Sequence, residues 1–157
     1  MRVKQTLREC PVFAGLSDAD LERIAGIGVT RDYEAGSTLF AENEAADELF
    51  VVLEGKVALQ MSVPVNGGPG VKKATVDIAR SNDIAGWSAL IEPYQQRLTA
   101  VCLQKTRALV INGAGLRAFL QGNQLAGYET VRGLARIMSA RLDDACRLLV
   151  SERSWQP

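Results

Sequence analysis

Between Val29 and Asn112 the sequence breaks into short β-rich runs separated by turn residues, and this rhythm limits the fold more than any other feature. The runs are VTRDYEAG, STLFAEN, ELFVVLEG, KVALQMSV, KKATVDIA, RLTAVCLQ and ALVIN. Between them stand Ala35-Gly36, Glu42-Asn43, Glu54-Gly55, Asn66-Gly67-Gly68-Pro69-Gly70, Ser81-Asn82-Asp83 and Asn112-Gly113. Strands punctuated roughly every 8–12 residues predict an all-β sandwich, roll or barrel. Asn66-Gly67 opens the most turn-rich segment and predicts a hairpin tip.

Helical periods flank this β region. Residues 1–28 read as helical, with Ser17 as an N-cap and Asp18 and Asp20 in the first turn, where the helix dipole favours acids. Leu16, Leu21, Ile24 and Ile27 fall near helical spacing. After Gly113 a short helix, GLRAFLQGNQ, precedes a longer one from about Gln124 to Glu152. Leu125, Val131, Leu134, Met138, Leu142, Ala145 and Leu149 recur every three or four residues along it, and Ile137, Cys146 and Leu148 widen the stripe. A helix with so wide an apolar face must pack on something. The expectation is that part of it covers the β layer and the rest meets a copy of itself, giving a homodimer; the alternative is a helix lying wholly on its own domain.

Composition removes whole classes of chemistry. The chain has 157 residues, enough for one domain, and no histidine, which excludes Ser-His-Asp and Cys-His nucleophile arrangements, His general bases and His-rich metal sites. Neither a catalytic nor a metal site is expected, and cupin-type enzymes are disfavoured. Cys10, Cys102 and Cys146 form no C-x-x-C pair and read as reduced thiols. Lys plus Arg and Asp plus Glu both number 18. That zero net charge, with mixed charges on the long helix, argues against direct DNA binding. The N-terminus lacks an apolar signal core and no run is long enough for a bilayer, so a cytoplasmic protein without membrane contact is expected.

The stretch GWSALIEPYQQRLTA, residues 86–100, carries the most chemistry. Gly86 allows close backbone approach to a ligand. The amides of Trp87, Ser88 and Ala89 would open a helical turn and could donate to an anion. Arg97 supplies charge and a bidentate contact to phosphate, or else pairs with an acid such as Glu92. Ser88 and Thr99 are hydroxyls nearby. Trp87 either plugs the pocket or offers a stacking platform.

The order of helix, β-roll with a short internal helix, and long helix resembles the cyclic nucleotide-binding domain of the catabolite-activator and FNR type regulators. Tyr33, Gly36, Asp47, Phe50-Val51-Val52, Gly55 and Val57 stand where that family's first half has its aromatic, turn and strand residues. Asp83, Gly86, Ala89, Leu90 and Arg97 match its phosphate-binding cassette, here residues 82–100. The resemblance implies a mainly β fold, a jelly-roll-like double-stranded β-helix over residues 29–112 with helices before and after, in one domain over residues 1–157. It also implies a ligand such as cyclic AMP, cyclic GMP or another small anion, bound by Gly86, Trp87, Ser88, Ala89, Arg97, Leu98 and Thr99. No resident cofactor is implied. The family's helix-turn-helix domain has no counterpart before Pro157. Arg132 and Arg136 lie on the helix that caps the nucleotide base in that family.

The departures fall on ligand contacts. Asn43 and Asn82 replace turn glycines, which is mild because Asn tolerates the left-handed region. Trp87 replaces the glutamate that accepts the ribose hydroxyl in the family, and an indole only donates. Leu98 replaces a phosphate-binding Ser or Thr. Thr99 could substitute only if a bulge shifts the strand by one residue. The losses sum to about 3–4 kcal/mol, on the order of a few hundredfold in affinity. The expected function is therefore a small-molecule-sensing regulatory module that signals through its C-terminal helix to a protein effector. The alternative is a degenerate β-roll kept for dimerisation or partner docking.

Overall fold

The computed structural model describes residues 2–153; Met1 and residues 154–157, the ends of the expected single unit, lie outside them. Helices α1 (Arg2–Glu9) and α2 (Asp18–Ile27) lead into strands β1 (Gly28–Tyr33), β2 (Thr38–Phe40), β3 (Glu48–Glu54), β4 (Val57–Pro64), β5 (Val71–Ala79) and β6 (Ile84–Ala85). A 3₁₀ turn (Trp87–Leu90), β7 (Thr99–Cys102) and β8 (Thr106–Asn112) follow, then α3 (Gly113–Gly122) and α4 (Gln124–Arg153). The strands form two antiparallel sheets, ordered β1-β8-β3-β6 and β2-β7-β4-β5, packed face to face as a roll.

Pleat alternation explains the strand sequences. Phe50 and Val52 of β3, with Ala108 and Val110 of β8, face the roll interior and meet Val57, Leu59, Ala100 and Cys102 of the second sheet. Their neighbours Leu49, Val51, Leu109 and Ile111 face the other way, into a core shared with Leu7, Phe13, Leu21, Ile24 and Leu116 of the helical layer. The first sheet is thus covered on both sides, which is why Phe50-Val51-Val52 and Leu109-Val110-Ile111 are unbroken apolar runs. The hairpin expected at Asn66-Gly67 joins β4 and β5; Val65 N–H donates to the Gly70 carbonyl at 3.0 Å. Asn43 and Asn82 both adopt left-handed backbone, with φ of 71° and 75°.

The expected N-terminal helices are two, α1 and α2, separated by turns. Ser17 does cap α2, accepting from the Asp20 amide at 3.2 Å. Residues 10–16, however, form turns in which the Cys10, Phe13 and Leu16 amides donate to carbonyls three residues back. Pro11 has no amide to extend α1. Burial of Cys10, Val12, Phe13 and Leu16 instead holds the segment against the sheet. That burial pushes the Cys10 thiol up to about 11.

Helix α4 divides in two. Ala126 and Leu134 are buried, and Ile137 and Met138 pack against the same core. Gly133 passes so close to the turn segment that a Cβ there would lie 2.6 Å from the Pro11 carbonyl oxygen. From residue 142 to 151 every side chain is exposed, including Leu142, Leu148, Leu149 and Val150. The apolar stripe therefore splits: Leu134 and Met138 serve the core, whereas Leu125, Val131, Leu142 and Leu149 face outward.

Candidate functional site

The cassette starts where β6 ends. Phe50↔Ala85 and Val51↔Ile84 pairing brings the chain to Gly86, which turns it with φ 83° and ψ 30° and caps the 3₁₀ turn. A side chain at Gly86 would meet the Glu48 carbonyl oxygen at 3.0 Å and the Phe40 ring at 3.4 Å, so this glycine serves both the turn and a close approach. The Ala89 amide, one of three expected to face an anion, donates instead to the Gly86 carbonyl at 3.0 Å. The tight 3₁₀ geometry uses it up. Residues beyond the turn are tied to the loop before β3: Asn43 N–H donates to the Gln96 carbonyl and Gln96 N–H to the Glu44 carbonyl, both at 2.8 Å.

The parity of β7 decides which side chains enter the roll. Leu98, Ala100 and Cys102 belong to the interior cluster with Phe40, Phe50 and Leu59. Arg97 falls on the other parity; its side chain is exposed and forms no ion pair with Glu92. Arg97 nonetheless stays in the lining of the cassette crevice, beside the inward-packed Leu98. Thr99 also lies off the interior. Its hydroxyl accepts from Glu42 N–H at 3.1 Å and Lys73 Nζ at 2.9 Å. The Ser62 hydroxyl and Lys73 hold the Glu42 carboxyl below the usual carboxylate range. Thr99 thus ties the loop before β3 to β5.

What remains is a crevice lined by Phe40, Leu59, Gly86, Trp87, Ser88, Gln96, Arg97 and Leu98. Its empty space totals about 180 Å³, yet nowhere does it admit a water-sized sphere. Trp87 is half-buried and packs against both the interior and the helix-side core. Above the indole sits Arg141 of α4, its guanidinium carbon 4.4 Å from the ring centroid. Arg141 also pairs with Asp77 of β5 at 2.9 Å. The arginine that reaches the cassette from the long helix is therefore Arg141. Arg136 is exposed, and Arg132 lies 3.7 Å from Glu129 on the same helix. Sequence reading missed Arg141, although its place one turn after the packed Ile137 was a usable signal.

Comparison with known proteins now fits onto this geometry. The family model described as the cyclic nucleotide-binding domain matches residues 30–123, from β1 to the residue before α4. This chain belongs to the cyclic nucleotide-binding domain family. A solved structure from Geobacter metallireducens GS-15, assigned to the cyclic nucleotide-binding proteins, is 34% identical, covers 90% of this chain and 99% of its own, and superposes with a TM-score of 0.76. A CRP-like cAMP-activated global transcriptional regulator of Mycobacterium tuberculosis is 22% identical over 84% of this chain. A proposed potassium channel protein of Rhodopseudomonas palustris is 26% identical over 70% of it. The chain spans 57% of the length of that regulator and 25% of the channel protein. Among the described residues no helix is long and apolar enough to cross a membrane.

Within the cyclic nucleotide-binding family frame, the divergent positions cluster. Trp87 and Leu98 are the two ligand-position departures, and both are packed into the walls of one closed crevice. Gly86 and the strand pairing that positions it are retained, so the scaffold of the cassette persists around an altered lining.

Proposed function

We propose that this chain is a regulatory module of the cyclic nucleotide-binding family whose output element is α4 and whose cassette has lost ordinary cyclic-nucleotide affinity. One observation carries the reading: Leu98, the residue before β7, packs into the roll interior, and with Trp87 it lines a crevice too narrow for water. A cyclic phosphate does not fit there while those two side chains keep their places. The link to α4 is physical, because Trp87 lies beneath Arg141. Any event that moves the indole disturbs that helix. The outward stripe of Leu125, Val131, Leu142 and Leu149 gives α4 a surface for self-pairing or for a protein effector in the cytoplasm.

Thermal melts with cyclic AMP and cyclic GMP at millimolar concentration test the cassette, since a ligand of the native state raises the midpoint. The expected result is no shift. A saturable shift that is abolished by Gly86→Val would overturn this part of the reading. Sedimentation velocity tests the helix: Leu142→Asp is expected to convert a dimer to a monomer, and a wild-type monomer at high concentration removes self-pairing.

A further inference from the structure

The closed crevice is one side of the 3₁₀ turn, and the opposite side opens on a groove between that turn, α3 and α4. It holds about 590 Å³, within the range of small-molecule sites. Leu90, Leu120, Leu134 and Met138 line it. Glu92, Tyr94, Arg117, Gln121 and Thr130 break this apolar wall, and two of them, Thr130 and Arg117, hold donors with no acceptor side chain paired to them. The Thr130 hydroxyl, on a residue only 1% exposed, has no hydrogen-bond partner, the single such buried side-chain atom among the described residues. A buried hydroxyl left unpaired costs about 1–3 kcal/mol, so a partner entering the groove gains from it. The second group is Arg117. It is half-buried, donates to the Ala89 carbonyl at 2.5 Å and stacks over the Tyr94 ring at 4.1 Å. Neither contact neutralises its charge, and no carboxylate among the described residues pairs with it. Glu92 stands exposed at the outer rim.

We infer that this groove is a binding site for a small apolar carboxylate, its hydrocarbon body against Leu120, Leu134 and Met138 and its head group served by Arg117 and Thr130. Arg117 only donates and the Thr130 hydroxyl can donate, so this pair favours an acceptor head, and the charge of Arg117 favours an anionic one. The groove borrows its walls from the cassette turn and from α4, so occupancy bears on the output helix without entering the roll. The inference goes beyond the reading above. A failed titration here leaves the cyclic-nucleotide melts and the sedimentation result as they stand.

Decanoate is the probe, with acetate and 1-decanol as head-only and tail-only controls. Decanoate is expected to raise the melting midpoint saturably, acetate to leave it unchanged, and 1-decanol to bind at least about tenfold more weakly. Methyl NMR locates the site through shifts at Leu90, Leu120, Leu134 and Met138. Thr130→Val keeps the shape and removes the hydroxyl; it is expected to weaken decanoate about tenfold while raising the ligand-free midpoint. Arg117→Gln is expected to remove the preference for decanoate over 1-decanol. Equal binding of decanoate and 1-decanol to the wild type, or undiminished decanoate affinity in Thr130→Val, overturns the proposal. So does a decanoate affinity that falls with rising protein concentration, which assigns the groove to a second copy of the chain.

Discussion

The two sides of the turn Trp87–Leu90 share a backbone and differ in almost everything else. On the inner side Leu98 and Trp87 close the crevice until no water fits, whereas on the outer side Leu90, Arg117 and Thr130 frame a cavity of about 590 Å³. The inner side has an exposed cation, Arg97, in its lining; the outer side holds a half-buried cation with no counter-ion among the described residues. A fold can therefore keep the geometry of a binding motif while its lining moves the accessible space elsewhere. Gly86 preserves the turn whichever side is used, because its left-handed backbone depends on the missing Cβ and not on a ligand.

The strongest way to break this contrast is to rebuild the inner side. Trp87→Glu combined with Leu98→Ser restores an acceptor for the ribose and a hydroxyl for the phosphate. Cyclic AMP affinity, measured by calorimetry, should rise on the order of a few hundredfold, reversing a deficit of about 3–4 kcal/mol. The ligand-free double variant should be less stable, since it gives up apolar packing and places a carboxylate without a partner in the crevice. No gain in affinity would mean that the crevice is closed by the backbone and not by its lining.

Removing the lid is a smaller perturbation. Arg141→Ala deletes the stack on Trp87 and the pair with Asp77, and should cost about 1 kcal/mol in urea unfolding. Arg97→Ala should change stability by less than about 0.5 kcal/mol, because the side chain is exposed. A larger loss would show that Arg97 has a structural partner in solution. The smallest effect concerns pH. Glu42 has a lowered folded-state pKa, so its stabilising contribution is present above the ordinary carboxylate value and is lost as pH falls through the folded one. The stability difference between wild type and Glu42→Gln should therefore be full at neutral pH and shrink only as pH falls below the ordinary carboxylate range, while a difference that persists undiminished at low pH would contradict the assignment.

Much of the fold was legible because local chemistry and tertiary packing agree. All seven β-rich runs became strands, and the extra strand, β6, was missed because two residues carry no periodicity; only pairing with Phe50 and Val51 makes Ile84-Ala85 a strand. The break after Glu9 was visible only as Pro11, whereas the buried path of Val12 and Phe13 depends on the sheet beneath them. At the cassette the motif located the turn correctly. That Leu98 packs into the interior was not legible, because it depends on Phe40, Phe50 and Leu59 across the roll. Arg141 escaped notice because a charged residue on the packed side of a helix looks like surface until its aromatic partner, Trp87, is placed in space.

The outer reach of α4, bare from residue 142 to 151, carries a thermodynamic debt. Isolated helices shorter than about 12–15 residues are marginal in water, and most helical stability in proteins comes from packing. Among the described residues every side chain of those last turns is exposed, and they continue a helix nucleated by the packed half of α4. A surface that covers Leu142 and Leu149 is therefore expected to raise helicity there, which circular dichroism against protein concentration would register.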